Sequence, residues 1–228
     1  MILSNDDVLS IYNKFVLKNN NPEYLSRYQC LPLDQNVKVW KWENKDVPRV
    51  MAILEFKRYV ETYGIAPKKM LTFNASNDPE LEYLKCDEIF NFNYEEDRVN
   101  HDLHNLNILK RDYDFVMLNQ TLEHLYDPLS CLKGIYDHIG SKAYFYCNVP
   151  TVNIIHSYPY NYISGYTPVG LGCLLHMAGF EILEIGQWGN KDYIIDIYST
   201  GTWPDYRSSN TMNEFQNPCQ CWILARKP

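Results

Sequence analysis

The chain has 228 residues, 46% of them hydrophobic, enough to bury one substantial core. Its 21 Lys and Arg stand against 28 Asp and Glu, a net charge of −7, which argues against charge-driven binding to nucleic acid or an anionic membrane, since both need a clustered basic surface. Seven cysteines, an odd number, do not make the disulfide framework of small secreted domains.

The opening MILSNDDVLS has neither the basic lead nor the apolar core of a signal peptide, and no run approaches membrane-spanning length. A soluble protein of the reducing cytoplasm is expected. Asp6 to Leu17 places Val8, Ile11, Tyr12, Phe15 and Val16 on one side, the pattern of a short amphipathic helix that Asn19, Asn20, Asn21 and Pro22 end. From there to Asn44, Tyr24, Tyr28, Trp40 and Trp42 follow no clear period and predict irregular structure packed by aromatics. A second helix carries Val47, Val50, Met51, Leu54, Phe56, Tyr59 and Val60 and stops at Gly64. Residues 1–66 are expected to form a helical or irregular extension packed on a core domain of residues 67–228.

That core opens with a buried strand, Met70 to Phe73, and a loop, Asn74 to Asn77. Asp78 and Pro79 then cap a short helix. Glu88 to Asn93 alternates as a second strand, and Asp102 to Leu106 is a turn. Phe115 to Leu118 is an unbroken apolar run, as in a strand buried on both faces of a parallel sheet. Asp127 and Pro128 start a helix whose stripe runs Leu122, Leu125, Leu129, Leu132, Tyr136 and Ile139, with Gly140 placed to close it. Ala143 to Val149 is another strand, Thr167 and Pro168 start another helix ending at Gly179, and Phe180 to Trp188 and Gln220 to Arg226 are the last strands. Residues 189–218 between them read as an irregular insertion, a lid or binding loop. Alternating strands and helices predict an α/β fold, a mostly parallel sheet with helices on both faces. Ligands bind beyond the carboxyl ends of such strands, which puts Asn119 to His124 at the candidate site.

Four segments in this order, YDFVMLNQTLEHLYDPLSCL, NVPTVNIIHSYPYNYISGYTP, LLHMAGFEILEIGQWGN and CQCWILARKP, resemble class I S-adenosylmethionine-dependent methyltransferases, in particular the small-molecule and sugar enzymes of the methyltransferase-domain group. The resemblance spans roughly Lys68 to Pro228. It implies a Rossmann-like three-layer sandwich whose mostly parallel, seven-stranded sheet ends in an antiparallel strand. It further implies that the methionine part of S-adenosylmethionine lies over Phe73, Asn74, Ala75 and Ser76. The ribose hydroxyls would meet Asn93 or Tyr94, the adenine amine Asp102 with Leu103, and the sulfonium Asn119 and Gln120. Two positions depart from the family pattern: its first loop is Gly-rich where this chain has Asn74, Ala75 and Ser76, and its ribose ligand is acidic where this chain has Asn93.

His156 is a candidate general base for a substrate hydroxyl, the alternative being a residue that orients its loop; His124 is a base or a structural hydrogen-bonder. Tyr158, Tyr160, Tyr162 and Tyr166 either stack on a sugar or form an aromatic rim. Cys219 and Cys221 lack a second Cys or His pair, so no metal is expected. Nicotinamide and Walker-type glycine motifs are absent. The activity implied is methyl transfer to a small polar acceptor, O-methylation of a sugar or sugar-like metabolite. A catalytically inactive binding or scaffold protein on the same fold is the other reading.

Overall fold

Cap residues set where the helices begin. The computed structural model describes residues 2–29, 33–37, 40–41, 45–73, 77–94, 96, 102–106 and 112–228. In it, Ser4 and Asp7 bond reciprocally across the first turn of α1 (Asn5–Ile11), which runs on into a π-helical turn, Tyr12–Val16. Two short helices, α2 (Pro22–Arg27) and α3 (Leu33–Val37), replace part of the expected irregular stretch. The correction has a simple cause: Asn21 accepts from the Tyr24 N–H and Pro22 sits in the first turn, so Asn-Pro here opens a helix as well as closing one. Helix α4 (Val47–Tyr63) ends where Gly64 turns left-handed at φ 60° and donates to the Val60 carbonyl. It is buried on nearly every side, Arg49 and Glu55 included.

Six strands form one sheet among the described residues: β1 (Lys69–Phe73), β2 (Glu88–Phe92), β3 (Tyr113–Asn119), β4 (Ile139–Pro150), β5 (Glu181–Trp188) and β6 (Gln220–Arg226). The order is β2-β1-β3-β4-β6-β5. Strands β1 to β4 pair in parallel, and β6 lies antiparallel between β4 and β5. The sheet is one strand short of the seven expected, and much of the connection from β2 to β3 lies outside the described residues. Along β3 the faces alternate. Val116 and Leu118 join a cluster with α1, α5 (Pro128–His138) and α6 (Pro168–Ala178), whereas Phe115 and Met117 join one with α4 and α7 (Lys191–Thr200). Tyr24, Tyr28 and Trp40 belong to the second cluster, so the chain ahead of β1 packs against the sheet.

Two further expectations are corrected. Gly140 is not the cap of α5: the helix ends at His138 and the chain passes directly into β4, where Tyr113 pairs with Ile139 and Phe115 with Tyr144, leaving a bulge with Lys142 at φ 65°. Residues 189–218 are not wholly irregular, because Asn190 caps α7 through the Tyr193 N–H and Tyr193 and Ile197 are buried one turn apart. No helix among the described residues is long and apolar enough to cross a membrane.

Candidate functional site

From β1 the chain moves to β2 on one side, then crosses to β3 on the other. The connections leaving the carboxyl ends of β1 and β3 therefore run to opposite sides, and a cavity of about 660 Å³ opens there, the size range of small-molecule sites. Phe73, Asn77 and Asp78 line it from the β1 side, Asn119, Gln120 and Thr121 from β3. Tyr94, Asp102 and Leu103 line a second wall, and His124, Tyr160 and Tyr162 a third.

The floor is a directed polar network. Arg49 makes a two-pronged ion pair with buried Glu80, and its Nη2 lies 3.6 Å from Asp78 Oδ2. Asn148 Nδ2 donates to Asn119 Oδ1 at 2.5 Å, and Asn119 Nδ2 donates to Asp78 Oδ2 at 2.6 Å. Asn148 Oδ1 accepts from Gln120 Nε2 at 2.8 Å and from Gln220 Nε2 at 3.2 Å. The Gln120 backbone is left-handed, φ 47°, and its N–H donates to the Asn148 carbonyl at 2.9 Å. Such a conformation costs energy in a non-glycine residue and is held here by bonds from both backbone and side chain. Among the described residues, one guanidinium faces two carboxylates here, Glu80 and Asp78. Glu80 is fully buried against Arg49, and Asp78 is the carboxylate with access to the cavity.

On the second wall, Asp102 Oδ1 accepts from the His104 backbone N–H and from His104 Nδ1, each at 2.9 Å. His104 Nε2 accepts from the Tyr126 N–H, and the two rings stack 3.7 Å apart. Tyr94 meets Tyr160 edge to face across the mouth. Asn93 Nδ2 donates to Glu96 Oε1 at 3.0 Å. Of the four candidate tyrosines, Tyr160 and Tyr162 line the cavity; Tyr158 is 84% exposed, and Tyr166 is buried with its hydroxyl donating to the Leu122 carbonyl. Asn74, Ala75 and Ser76 lie outside the described residues.

Behind the third wall, Glu123 and His156 lie close to His124. Glu123 is fully buried, and among the described residues no donor other than its own backbone N–H approaches its carboxylate, so burial pushes its pKa up to about 8. His124 Nδ1 is 2.8 Å from the Tyr160 carbonyl and must donate to it, and burial lowers its pKa. His156 Nδ1 likewise donates to the Ile154 carbonyl at 3.0 Å. In its neutral form each imidazole thus carries its lone pair on Nε2. The two rings meet edge to face, 4.9 Å apart, and Trp203 closes over the far side of His156 at 5.6 Å. His124 is the member that lines the cavity.

No family model and no curated protein matches the sequence. Solved structures do match in shape. The N-methyltransferase NodS from Bradyrhizobium japonicum, solved with S-adenosyl-l-homocysteine, aligns with a TM-score of 0.50 at 10% identity over 96% of this chain and 99% of its own. A methyltransferase from Aquifex aeolicus gives 0.50 at 11% identity over 87% and 100%. The fold is that of class I methyltransferases. It does not dictate the reaction, because the [4+2]-cyclase SpnF matches equally well, with a TM-score of 0.51 at 14% identity over 83% of this chain and 85% of its own.

On this methyltransferase fold, sequence reasoning missed Arg49, Asp78, Glu80, Asn148 and Trp203. Asp78 was visible only as a helix cap, Glu80 as an ordinary residue of the short helix that follows it, and Asn148 as an ordinary strand residue. Arg49 carried a faint signal, a charge between Pro48 and Val50 at the start of an otherwise apolar helix face.

Proposed function

We propose that the chain is an S-adenosylmethionine-dependent methyltransferase acting on a small polar acceptor, and that the acceptor atom is an oxygen of a sugar or sugar-like metabolite. The observation that carries this reading is Asp78. Among the described residues it leaves one carboxylate in excess of the guanidinium at the switch point of a class I methyltransferase fold, where a ligand bearing an ammonium and a sulfonium is complemented. Asp78 and Asn119 would hold the methionine end, Tyr94, Asp102 and Leu103 the nucleoside. When bound, the cofactor supplies a methyl group already activated for transfer. The chain's own residues then have two tasks, aligning the acceptor and receiving its proton. Tyr160 and Tyr162 offer aromatic faces to an acceptor ring at the mouth. His124, kept neutral by burial, presents its Nε2 lone pair at the cavity wall to an acceptor hydroxyl, with His156 behind it.

A second reading, a binding protein that transfers no methyl, draws support from the glycine-free 74–76 loop and from Asn93, whose amide is engaged by Glu96. Calorimetric titration with S-adenosylhomocysteine, followed by labelled-methyl transfer onto a panel of sugars and nucleotide sugars, separates the two. Micromolar binding with transfer to a panel member supports the enzyme. Binding without transfer to any acceptor supports the second reading, and no binding of either form of the cofactor sinks both cofactor assignments.

A further inference from the structure

We propose that Glu123, His124 and His156 form a binding site for one divalent transition-metal ion of the zinc and cobalt class. One ligand atom from each of the three lies within 4.8 Å of the others, so small side-chain rotations bring them around a common centre. Three properties mark the group as more than a chance cluster. First, the Glu123 carboxylate is wholly buried with no donor from a neighbouring residue among those described. A bare buried carboxylate is costly, and a cation is the partner that relieves it. Second, both histidines spend Nδ1 on a backbone carbonyl, His124 on Tyr160 and His156 on Ile154. That is how metal-ligating histidines are held, with Nε2 fixed as the free lone pair. Third, the backbone holds the three residues together before any ion arrives. The Glu123 carbonyl accepts the N–H groups of Tyr162 and Ile163 at 3.0 and 3.1 Å, which staples the loop following His156 onto the turn that carries Glu123 and His124.

Two imidazoles and one carboxylate favour borderline cations such as Zn²⁺ or Co²⁺ over Mg²⁺ and Ca²⁺, which prefer oxygen alone. Three protein ligands are one short of a closed structural site, so at least one position remains for an outside oxygen. His124 lines the cavity, which places that position at its wall. The role of the ion rests on the methyl-transfer reading: it would hold the acceptor oxygen and lower its proton affinity, taking over from the free His124 lone pair. Its binding does not depend on that reading. The expectation that the chain carries no metal is then replaced, because sequence spacing shows only ligands near one another in the chain, and His156 reaches this group through the fold.

The test uses full-length, untagged protein stripped with a chelator and titrated with CoCl₂, followed by calorimetry and by the visible absorption of Co²⁺. One equivalent is expected, with absorption bands showing imidazole nitrogen ligation, and at least tenfold weaker binding in each of Glu123→Gln and His156→Gln. Trp203 fluorescence should be quenched by Co²⁺ in the wild type, and Trp203→Phe should remove that part of the signal. Circular dichroism checks that each variant is folded; should one fail to fold, the Trp203 quenching and the nitrogen-ligated spectrum of the wild type decide alone. Equal affinity in wild type and both folded variants, or a spectrum of aquated Co²⁺ only, overturns the site. S-adenosylhomocysteine is titrated in parallel: ion binding without cofactor binding refutes the methyl-transfer reading and leaves the metal site, and the reverse result refutes the metal site alone.

Discussion

Replacing Glu123 by Gln should stabilise the metal-free protein, and increasingly so as pH rises. The carboxyl, ordinarily at 4.5, is pushed up to about 8 by burial. Below 4.5 both folded and unfolded chains hold the proton, and the group contributes nothing. Between 4.5 and about 8 the unfolded chain releases the proton while the folded chain retains it, so stability falls as pH rises through this window and levels off above it. At about 1.4 kcal/mol per pH unit the loss has a ceiling of about 5 kcal/mol, and relaxation with water entry should reduce it to roughly 2 kcal/mol or more. Glutamine keeps the shape and never ionises. His124 contributes in the opposite sense, because its lowered pKa costs stability as pH falls below 6.5, but that contribution is common to both proteins and cancels in their difference. Urea unfolding of wild type and Glu123→Gln in EDTA at pH 5, 7 and 9 gives the comparison. A difference between the two proteins that is the same at pH 5 and pH 9 would refute the assignment of a bare buried carboxylate.

Asp78→Asn removes the unbalanced charge while keeping a hydrogen-bonding side chain, and S-adenosylhomocysteine affinity measured by calorimetry should fall about tenfold, the scale of a lost charge-assisted bond. Glu80→Gln breaks the two-pronged buried pair and leaves the Arg49 guanidinium facing Asp78 at 3.6 Å, with an expected cost of about 1.5 to 3 kcal/mol in urea unfolding; an effect below 1 kcal/mol would show that water reaches Arg49. At Gly165 a Cβ would collide with the Thr151 carbonyl, so Gly165→Ala should lower the thermal midpoint by a few degrees, equivalent to about 1 to 3 kcal/mol, and weaken Co²⁺ binding by displacing the stapled loop. Tyr160→Ala should raise KM for a sugar acceptor severalfold and leave cofactor affinity within twofold, which steady-state kinetics and calorimetry check together.

The scaffold was legible because its signals are local. The apolar run Phe115–Leu118 and the Asp-Pro and Thr-Pro starts of α5 and α6 each needed only a few neighbouring residues, and each appears within a residue or two of its expected place. Where two local rules compete, sequence reading picked the wrong one. Asn19 to Pro22 satisfies both a stop and a start, and the Tyr193–Ile197 stripe is a single turn long, too short to stand out from a polar segment. The walls of the cavity were legible at Phe73, Asn119 and Gln120 because strand ends predict them, and at Tyr94, Asp102 and Leu103 through the resemblance to class I methyltransferases. The floor was not: Arg49, Glu80 and Asn148 come from three separate elements, and only the sheet brings them together.

That floor explains how so few charged groups can define the site. A buried ion pair contributes little net stability, since the cost of stripping water from two charges offsets their attraction. Orientation is what the Arg49–Glu80 pair adds. Glu80 can only accept, so the nearby Asn148 amide, 3.4 Å away, must point its Nδ2 downward, toward both Glu80 and Asn119. Asn119 must therefore present Oδ1 to Asn148 and Nδ2 to Asp78. The same constraint turns Asn148 Oδ1 toward Gln120 and Gln220. The Arg49–Glu80 pair thus fixes the direction of the Asn148 and Asn119 amides, and it leaves Asp78 as the acceptor open to a ligand. An activated methyl donor needs little beyond such alignment. On the proposed methyl-transfer reading, polar side chains locked in one direction would supply it, with Glu123, His124 and His156 set apart from that floor.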